Sequence, residues 1–191
     1  MFQEAAQFLL DVILQPFAIL LLLRFHMQWL RAPMRNKVGE FIMSITNFVV
    51  LRSRRYIPSF RGYDTSSILL AYIFETIYLY LAEFIWVYRV PGDVSMFIAG
   101  ILLSGIVKLM SLSITLLMVT LIIQAILSWI KPYSPAMPIL NAITMPFLRP
   151  LQKRIPPAGN IDLAPFVLLV ICQLLQMIPL YMLDHAVRSL L

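Results

Sequence analysis

Four long apolar windows constrain the fold of this chain more than any other feature. They lie at about residues 9–30, 65–88, 109–130 and 163–183. A helix that crosses the hydrocarbon core of a bilayer needs about 20 apolar residues, and its backbone polar groups must pair within the segment. None of the windows alternates apolar and polar residues as a barrel strand does. We therefore predict an all-α integral membrane protein with four transmembrane helices.

The composition agrees with this prediction. Of the 191 residues, 61% are hydrophobic and 13% are charged, which is more apolar surface than a soluble domain of this length can bury. The single cysteine, Cys172, cannot form an intrachain disulfide, and His26 and His185 give no metal-binding spacing. The sequence has no recognisable nucleophile triad, phosphate loop or paired carboxylates. We therefore expect neither an enzyme nor a bound cofactor.

The chain also carries one pattern of features twice. A span that ends near Trp29 is matched by one that ends near Trp129, and Asp64 before the second window is matched by Asp162. The offset is 100 residues at the tryptophans and 98 residues at the aspartates. Such a repeat indicates that one supersecondary unit is used twice.

The repeat divides the chain into three parts. We predict a first repeat at residues 1–90 and a second repeat at residues 109–191. The apolar stretch within residues 91–108 is too short to cross a bilayer comfortably. A crossing there would also place one basic loop on the outer side, against the charge bias. We therefore expect this part to be an outer interfacial or partly dipping segment.

In each repeat, an amphipathic stretch and a basic segment separate the two spans. Apolar residues at spacings of three and four, from Val38 to Val49 and from Ile139 to Phe147, indicate helices that lie in the membrane interface. Prolines follow the second stretch, and they favour a non-helical segment from Arg149 to Pro157.

Most of the cations lie in these two loops. Because cationic loops are retained on the cytoplasmic side, we expect a multi-pass protein of the bacterial cytoplasmic membrane with parallel repeats and both termini outside. We expect the cations to contact anionic lipids, a membrane-protein partner or a second copy of the chain. Nucleic acid is not expected, since headgroups lie within reach of these side chains. The candidate binding residues are Arg52, Arg54, Arg55, Arg149, Lys153 and Arg154.

Asp64 and Asp162 precede the second span of their repeats. Aspartate at the N-cap accepts hydrogen bonds from unpaired amides and lies favourably at the positive end of the helix dipole. We predict that both residues are helix N-caps. Pairing with loop arginines is the competing role, and the two roles are compatible.

Arg24 and Glu75 are charged residues that fall within predicted spans. An intramembrane charge is costly unless it is paired or functional. Because these two lie on consecutive helices at overlapping depth, we expect them to face each other. Their repeat equivalents are the neutral amides Gln124 and Gln173. The four residues form a candidate intramembrane polar site. Three roles stay open: Arg24 and Glu75 form a structural ion pair, a protonated Glu75 is hydrogen-bonded to a neighbour, or these groups line an ion or proton pathway.

Positions 143–157 have the sequence ITMPFLRPLQKRIPP, with Trp129 before them and Asp162 after them. This segment resembles the signature of the YggT family of integral membrane proteins. The resemblance covers almost the whole chain as two copies. The first copy departs from the pattern, because Phe48 and Arg52 stand where the second has Pro146 and Pro150.

The resemblance implies a function without a catalytic residue. Bacterial members of the family are associated with osmotic-stress tolerance and potassium homeostasis at the cell membrane. Plastid and cyanobacterial relatives are associated with the assembly and organisation of membrane or nucleoid components. Two classes of function therefore stay open: a component of ion or osmotic homeostasis, and a non-conducting scaffold or assembly factor.

Overall fold

The computed structural model describes residues 2–57, 64–87, 94–131, 133–155 and 162–188, and all the regular structure in these ranges is helical. The helices are α1 (Phe2–Trp29), α2 (Lys37–Ser53), α3 (Thr65–Val87), α4 (Val94–Ile130), α5 (Met137–Gln152), α6 (Ala164–Leu175) and α7 (Tyr181–Arg188). A π-helical turn at Gln176–Leu180 joins α6 and α7. Four helices are long and apolar enough to cross a membrane: α1, α3, α4 and the combined helix from Ala164 to Arg188. The prediction of an all-α membrane protein with four transmembrane helices is confirmed.

Helices α1 and α3 form an antiparallel pair. Gln3 Nε2 near the start of α1 donates to the Ile85 carbonyl near the end of α3 at 3.0 Å. Further along, the rings of Phe17 and Phe74 meet edge to face with their centroids 4.8 Å apart. The two short amphipathic helices, α2 and α5, follow α1 and α4 at one end of the bundle. We call this end the loop face, and the end where α1 begins and α7 finishes the terminal face.

Three buried apolar clusters hold the bundle together. The first lies between α1, α2, α3 and α4, and we call it the apolar plug; its buried residues are Leu21, Leu22, Val50, Leu70, Ala71 and Leu112. The second joins the two repeats on the loop face, and its buried residues are Met27, Ala32, Ile42, Ile139 and Ile143. The third lies within the second repeat, and its buried residues are Leu121, Leu148, Ala164, Leu168 and Cys172.

Helix α4 is one continuous helix of 37 residues that includes positions 94–108. The sequence predicted a segment there that is separate from the third span, and the structure differs. No proline interrupts the helix, and its first half packs on α3, with Gly105 against Tyr72 and Thr76. At 1.5 Å per residue α4 is about 55 Å long, so it must tilt or extend beyond a hydrocarbon core of about 30 Å.

Helix α5 also differs from the prediction. The sequence favoured a non-helical segment from Arg149 onward, whereas α5 continues to Gln152 and contains Pro146 and Pro150. Each proline removes one amide donor, but both rings lie on the exposed side of α5 while the opposite side is buried. Packing of that buried side outweighs the local cost of the prolines. The last two residues of the predicted segment lie outside the described residues.

We predict that Gly105→Ala destabilises the contact between α3 and α4. A Cβ at position 105 would lie 2.6 Å from Thr76 Oγ1 and 3.0 Å from Tyr72 Cε2. Overpacking of this kind costs about 1–3 kcal/mol, so the midpoint of thermal unfolding in detergent should fall. Adding Thr76→Ala removes the closest atom and should restore part of the loss. An unchanged midpoint in Gly105→Ala would contradict this packing.

Candidate functional site

Arg24 lies at the centre of a buried polar cluster on the loop face. Its Nη1 donates to Thr46 Oγ1 at 2.7 Å and to Asn47 Oδ1 at 2.9 Å, and both partners lie on α2. Its Nε lies 3.4 Å from Asp64 Oδ2, immediately before α3. The side chains of Arg24 and Asp64 are only 3% and 2% exposed. One guanidinium therefore ties together α1, α2 and the start of α3.

Arg54 completes this cluster. Its Nη2 donates to Asp64 Oδ2 at 2.7 Å, and Ser67 Oγ donates to the same oxygen at 2.8 Å. Burial opposes the charge of the Asp64 carboxylate. The hydrogen bonds from Arg54 and Ser67, with the charges of Arg54 and Arg24, outweigh burial and hold the pKa of Asp64 below its ordinary value. Asp64 is therefore ionised at neutral pH. We call Arg24, Thr46, Asn47, Arg54 and Asp64 the Arg24 cluster.

The expected pairing of Arg24 with Glu75 is not present. Arg24 binds Asp64 because that carboxylate lies at its own depth, whereas Glu75 lies about 16 Å further along α3. Glu75 is fully buried, and neither of its carboxyl oxygens has a hydrogen-bond partner among the described residues. Lys108 of α4 is the cation that acts on Glu75 electrostatically. Glu75 is therefore a second and separate polar site.

The apolar plug separates Glu75 from the Arg24 cluster. Leu70 and Ala71 lie between Asp64 and Glu75 along α3, and they pack on Leu112 of α4 and on leucines of α1. The structure therefore places a layer of buried apolar side chains between the two charged sites of the first repeat.

The second repeat builds the equivalent of the Arg24 cluster from neutral amides. Gln124, the counterpart of Arg24, donates through Nε2 to Asn141 Oδ1 at 2.7 Å and accepts from Thr144 Oγ1 at 2.6 Å. Thr144 is the counterpart of Thr46, and both threonines are fully buried. The scaffold is thus repeated, while the positive charge is present in one copy only.

Asp162 also keeps the position of its counterpart but changes its partner. Gln152, the counterpart of Arg54, donates to Asp162 Oδ2 at 2.7 Å. The other oxygen, Oδ1, accepts from the Ala164 amide at 2.9 Å. The backbone N-cap of α6 is Leu163, so the prediction that Asp162 is the N-cap is wrong by one residue, although its side chain accepts the amide of the first helical residue.

Gln173 does not join a buried site. It lies on an exposed side of α6, whereas its counterpart Glu75 is covered by α4. The difference arises because α3 packs between α1 and α4, while α6 contacts only α4, α5 and its own continuation among the described helices. Gln176 in the π-helical turn faces α4 instead, and its Nε2 donates to Thr115 Oγ1 at 2.8 Å.

The sequence analysis missed a polar stripe on α1. Gln3, Gln7, Asp11 and Gln15 recur every four residues and therefore share one helical face. Tyr78 of α3 donates to Asp11 Oδ1 at 2.8 Å, and Gln7 Nε2 donates to the Tyr78 hydroxyl at 3.0 Å. Gln15 is a further hydrogen-bond partner of Tyr78. We call the four α1 residues the terminal stripe; their regular spacing was the available signal.

The predicted basic residues lie on the loop face. Five of the six side chains are exposed and belong to none of the buried clusters. These residues are Arg52, Arg55, Arg149, Lys153 and Arg154. Arg54 is 39% exposed and pairs with Asp64. Five of the six candidate cations are thus presented to the surroundings of the loop face.

A sequence profile described as CCB3/YggT matches residues 3–85 and 103–183. The chain belongs to the CCB3/YggT family. The two matched segments begin 100 residues apart and finish 98 residues apart, which are the offsets of the tryptophans and the aspartates. The family unit therefore corresponds to one span, one amphipathic helix and a second span.

Relatives match most of this family member. The uncharacterised protein PA0392 of Pseudomonas aeruginosa is 32% identical over 176 residues, covering 91% of this chain and 87% of the relative. The uncharacterised protein YggT of Escherichia coli K12 is 29% identical over 171 residues, covering 89% and 86%. A protein from the proC 3′ region of Vibrio alginolyticus is 30% identical, covering 87% and 89%. No solved structure gave a significant match.

We predict that Asp64→Asn is far more damaging than Asp162→Asn. The first change leaves the buried Arg24 without its counter-charge and should lower the free energy of unfolding by about 3 kcal/mol. The second change affects an exposed aspartate with an amide partner and should cost less than about 1 kcal/mol. Denaturant titration in mixed micelles measures both, and equal losses would contradict the asymmetry between the repeats.

The cost of Asp64→Asn should also depend on pH. Because the folded pKa of Asp64 is lowered, the carboxylate contributes its full stabilisation above its ordinary pKa of 3.8. That contribution is lost as the pH falls through the lower folded value. The wild-type protein and Asp64→Asn should therefore converge in stability in acid.

Proposed function

We propose that this protein is a non-enzymatic component of ion or osmotic homeostasis in the bacterial cytoplasmic membrane, and that Glu75 is the ionisable residue on which this role depends. The observation that carries the proposal is the state of Glu75. It is 0% exposed, it lies in the middle of α3, and its oxygens have no hydrogen-bond partner among the described residues.

Such a residue needs a functional reason to persist. A buried carboxyl without hydrogen bonds costs free energy, and ionisable side chains within spans commonly mark ion or proton routes. Glu75 is not needed to hold the helices together, because the contacts of Arg24 with Asp64 and Thr46 already join α1, α2 and the start of α3. Among the described residues of the first repeat, Glu75 is the buried carboxyl whose two oxygens both lack a hydrogen-bond partner.

The proposal does not require a permanently open pore. The apolar plug closes the space between Glu75 and the loop face, so conduction through the first repeat would require rearrangement of Leu70, Ala71 and their partners. The role we propose is to conduct ions in a gated manner or to modulate a separate conductor. The resemblance to bacterial YggT proteins, which are associated with osmotic-stress tolerance and potassium homeostasis, supports this class of function.

Glu75→Gln tests the proposal. The change keeps the size of the side chain but removes its ability to ionise, so we expect loss of protection against osmotic stress at normal protein levels. Glu83→Gln is the matched control, because it makes the same chemical change on α3 at a residue nearer the terminal face. Growth of a deletion strain complemented with each variant gives the measurement, and full protection by Glu75→Gln would remove Glu75 from the mechanism.

A second candidate function is a scaffold that binds anionic lipid or a partner protein through the cytoplasmic loops. The specific observation in its favour is the exposure of Arg52, Arg55, Arg149, Lys153 and Arg154 on the loop face. A cation near an anionic membrane surface contributes about 1 kcal/mol to binding. The five together are therefore sufficient for stable association with acidic headgroups.

Neutralising these five residues to glutamine tests the second candidate. Arg54 is left unchanged, because its loss would disturb Asp64. We expect the number of anionic lipids that co-purify with the protein, counted by native mass spectrometry, to fall several-fold. Arg188→Gln, at the terminal face, is the control and should retain the wild-type number. Equal lipid retention by the five-residue variant would exclude these residues as the binding surface.

A further inference from the structure

The terminal stripe leads from the terminal face towards Glu75. Gln3, Gln7, Asp11 and Gln15 follow one face of α1, and each is about 6 Å deeper than the one before it. Gln3 lies at the mouth, where it binds the Ile85 carbonyl near the end of α3. Polar side chains therefore continue from the surface into the middle of the α1–α3 pair.

Tyr78 connects this stripe to Glu75. Its hydroxyl donates to Asp11 Oδ1 at 2.8 Å and accepts from Gln7 Nε2 at 3.0 Å. Glu75 lies one turn away from Tyr78 on α3, so the two side chains are neighbours on the helix surface. Asp11 is exposed while Glu75 is fully buried. The polar residues thus pass from an accessible carboxylate through a phenol to a buried carboxyl.

The route ends at Glu75. Towards the loop face the next layer is the apolar plug. Across from Glu75, α4 presents Lys108, and the buried Ser104 hydroxyl of α4 has no hydrogen-bond partner among the described residues. The titratable groups that neighbour Glu75 on its own helix are Tyr72 and Tyr78, each one turn away. On the other helices, Lys108 of α4 acts on Glu75, Asp11 of α1 binds Tyr78, and Arg24 lies beyond the plug.

We propose that the terminal stripe and Tyr78 form a one-sided route by which protons reach Glu75 from the terminal face. Asp11 and Tyr78 are linked by a hydrogen bond and can pass protons between them. Glu75 has no hydrogen-bond partner among the described residues, so the last step from Tyr78 needs a bridging water or rotation of one of the two side chains. The apolar plug prevents exchange with the loop face. The inference rests on the proposed function, and it specifies the proton as the ion and the terminal face as the side of access.

The second repeat supplies a natural comparison. Gln176 is the counterpart of Tyr78, and it binds Thr115 and the Ser111 carbonyl, which stand at the counterparts of Gln15 and Asp11. These groups contain no carboxyl, and Gln173, at the counterpart of Glu75, is an exposed amide. The second copy keeps polar residues only at the counterparts of the deeper route positions, and none of these residues titrates. The counterparts of Gln3 and Gln7 are the apolar residues Leu103 and Val107.

Carbodiimide labelling of Glu75 tests the route. A membrane-soluble carbodiimide reacts with protonated carboxyls, and intact mass measurement with Glu75→Gln as the blank isolates the reaction at this residue. The full-length protein is placed in sealed liposomes of one orientation, and the pH is changed on one side at a time. Lowering the pH at the terminal face from about 8 to about 6 should raise the labelling rate roughly tenfold or more. The same change at the loop face should alter it less than about twofold.

Variants of the stripe sharpen the test. Asp11→Asn and Tyr78→Phe should each reduce the response to terminal-face pH to about twofold, because each removes a titratable group from the route. Gln176→Leu alters the counterpart position in the second repeat and should leave the response unchanged. Labelling that follows the loop-face pH, that follows neither pH, or that ignores both stripe substitutions would overturn the proposal.

The outcomes also separate this inference from the proposed function. If Glu75→Gln abolishes osmotic protection while labelling follows the loop-face pH, the homeostasis role stands and the route is wrong. If labelling follows the terminal-face pH while Glu75→Gln protects fully, the route stands and the homeostasis role is wrong.

Discussion

The contact between Arg24 and Asp64 is the interaction on which the first repeat depends. The Arg24 guanidinium is 3% exposed within a span, so burying its charge is costly unless a carboxylate and further hydrogen-bond acceptors surround it. Asp64 supplies the charge, and Thr46 and Asn47 supply the acceptors. Arg24 lies on α1, Thr46 and Asn47 lie on α2, and Asp64 immediately precedes α3, so satisfying one side chain fixes how α1, α2 and α3 meet. In the second repeat Gln124 joins α4 to α5 through Asn141 and Thr144 without a charge, and Asp162 binds Gln152.

The Arg24 cluster has a neutral counterpart in the second repeat, whereas the buried carboxyl of Glu75 has no buried counterpart there. The duplicated scaffold explains the buried threonines, the aspartates before the second spans and the amphipathic helices of both copies. It does not explain a buried carboxyl without hydrogen bonds, because the counterpart amide Gln173 lies on an exposed side of α6. Glu75 is enclosed because α4, the span that follows α3 in the chain, packs against α3. The first repeat thus holds a layer of buried apolar side chains with an ionisable residue on one side and an ion pair on the other.

The four spans and the duplication could be predicted from the sequence, because length, hydropathy and the order of features are local properties. The pairing of Arg24 could not, because the relative depth of residues on α1 and α3 depends on how the two helices pack. The structure places Asp64 at the depth of Arg24, with Glu75 about 16 Å further along α3. Local propensity also failed at Pro146 and Pro150, where burial of the opposite side of α5 keeps the helix intact. The exposure of Gln173 could not be predicted either, because it depends on which helices pack against α6. The terminal stripe was visible in the sequence as residues spaced by four, but its meaning depends on Tyr78, which lies more than 60 residues away in the chain.

A double-mutant cycle between Arg24 and Asp64 tests the central claim most directly. The free energy of unfolding in mixed micelles is compared for the wild type, Arg24→Gln, Asp64→Asn and the double variant. The account predicts a coupling energy of about 1–3 kcal/mol. Asp64→Asn alone leaves the buried charge of Arg24 without a counter-charge, whereas the double variant contains neither charge. In that case the first repeat tolerates the neutral form that the second repeat already uses. Additive losses, with no coupling, would show that the two side chains do not form the pair that fixes α1, α2 and α3.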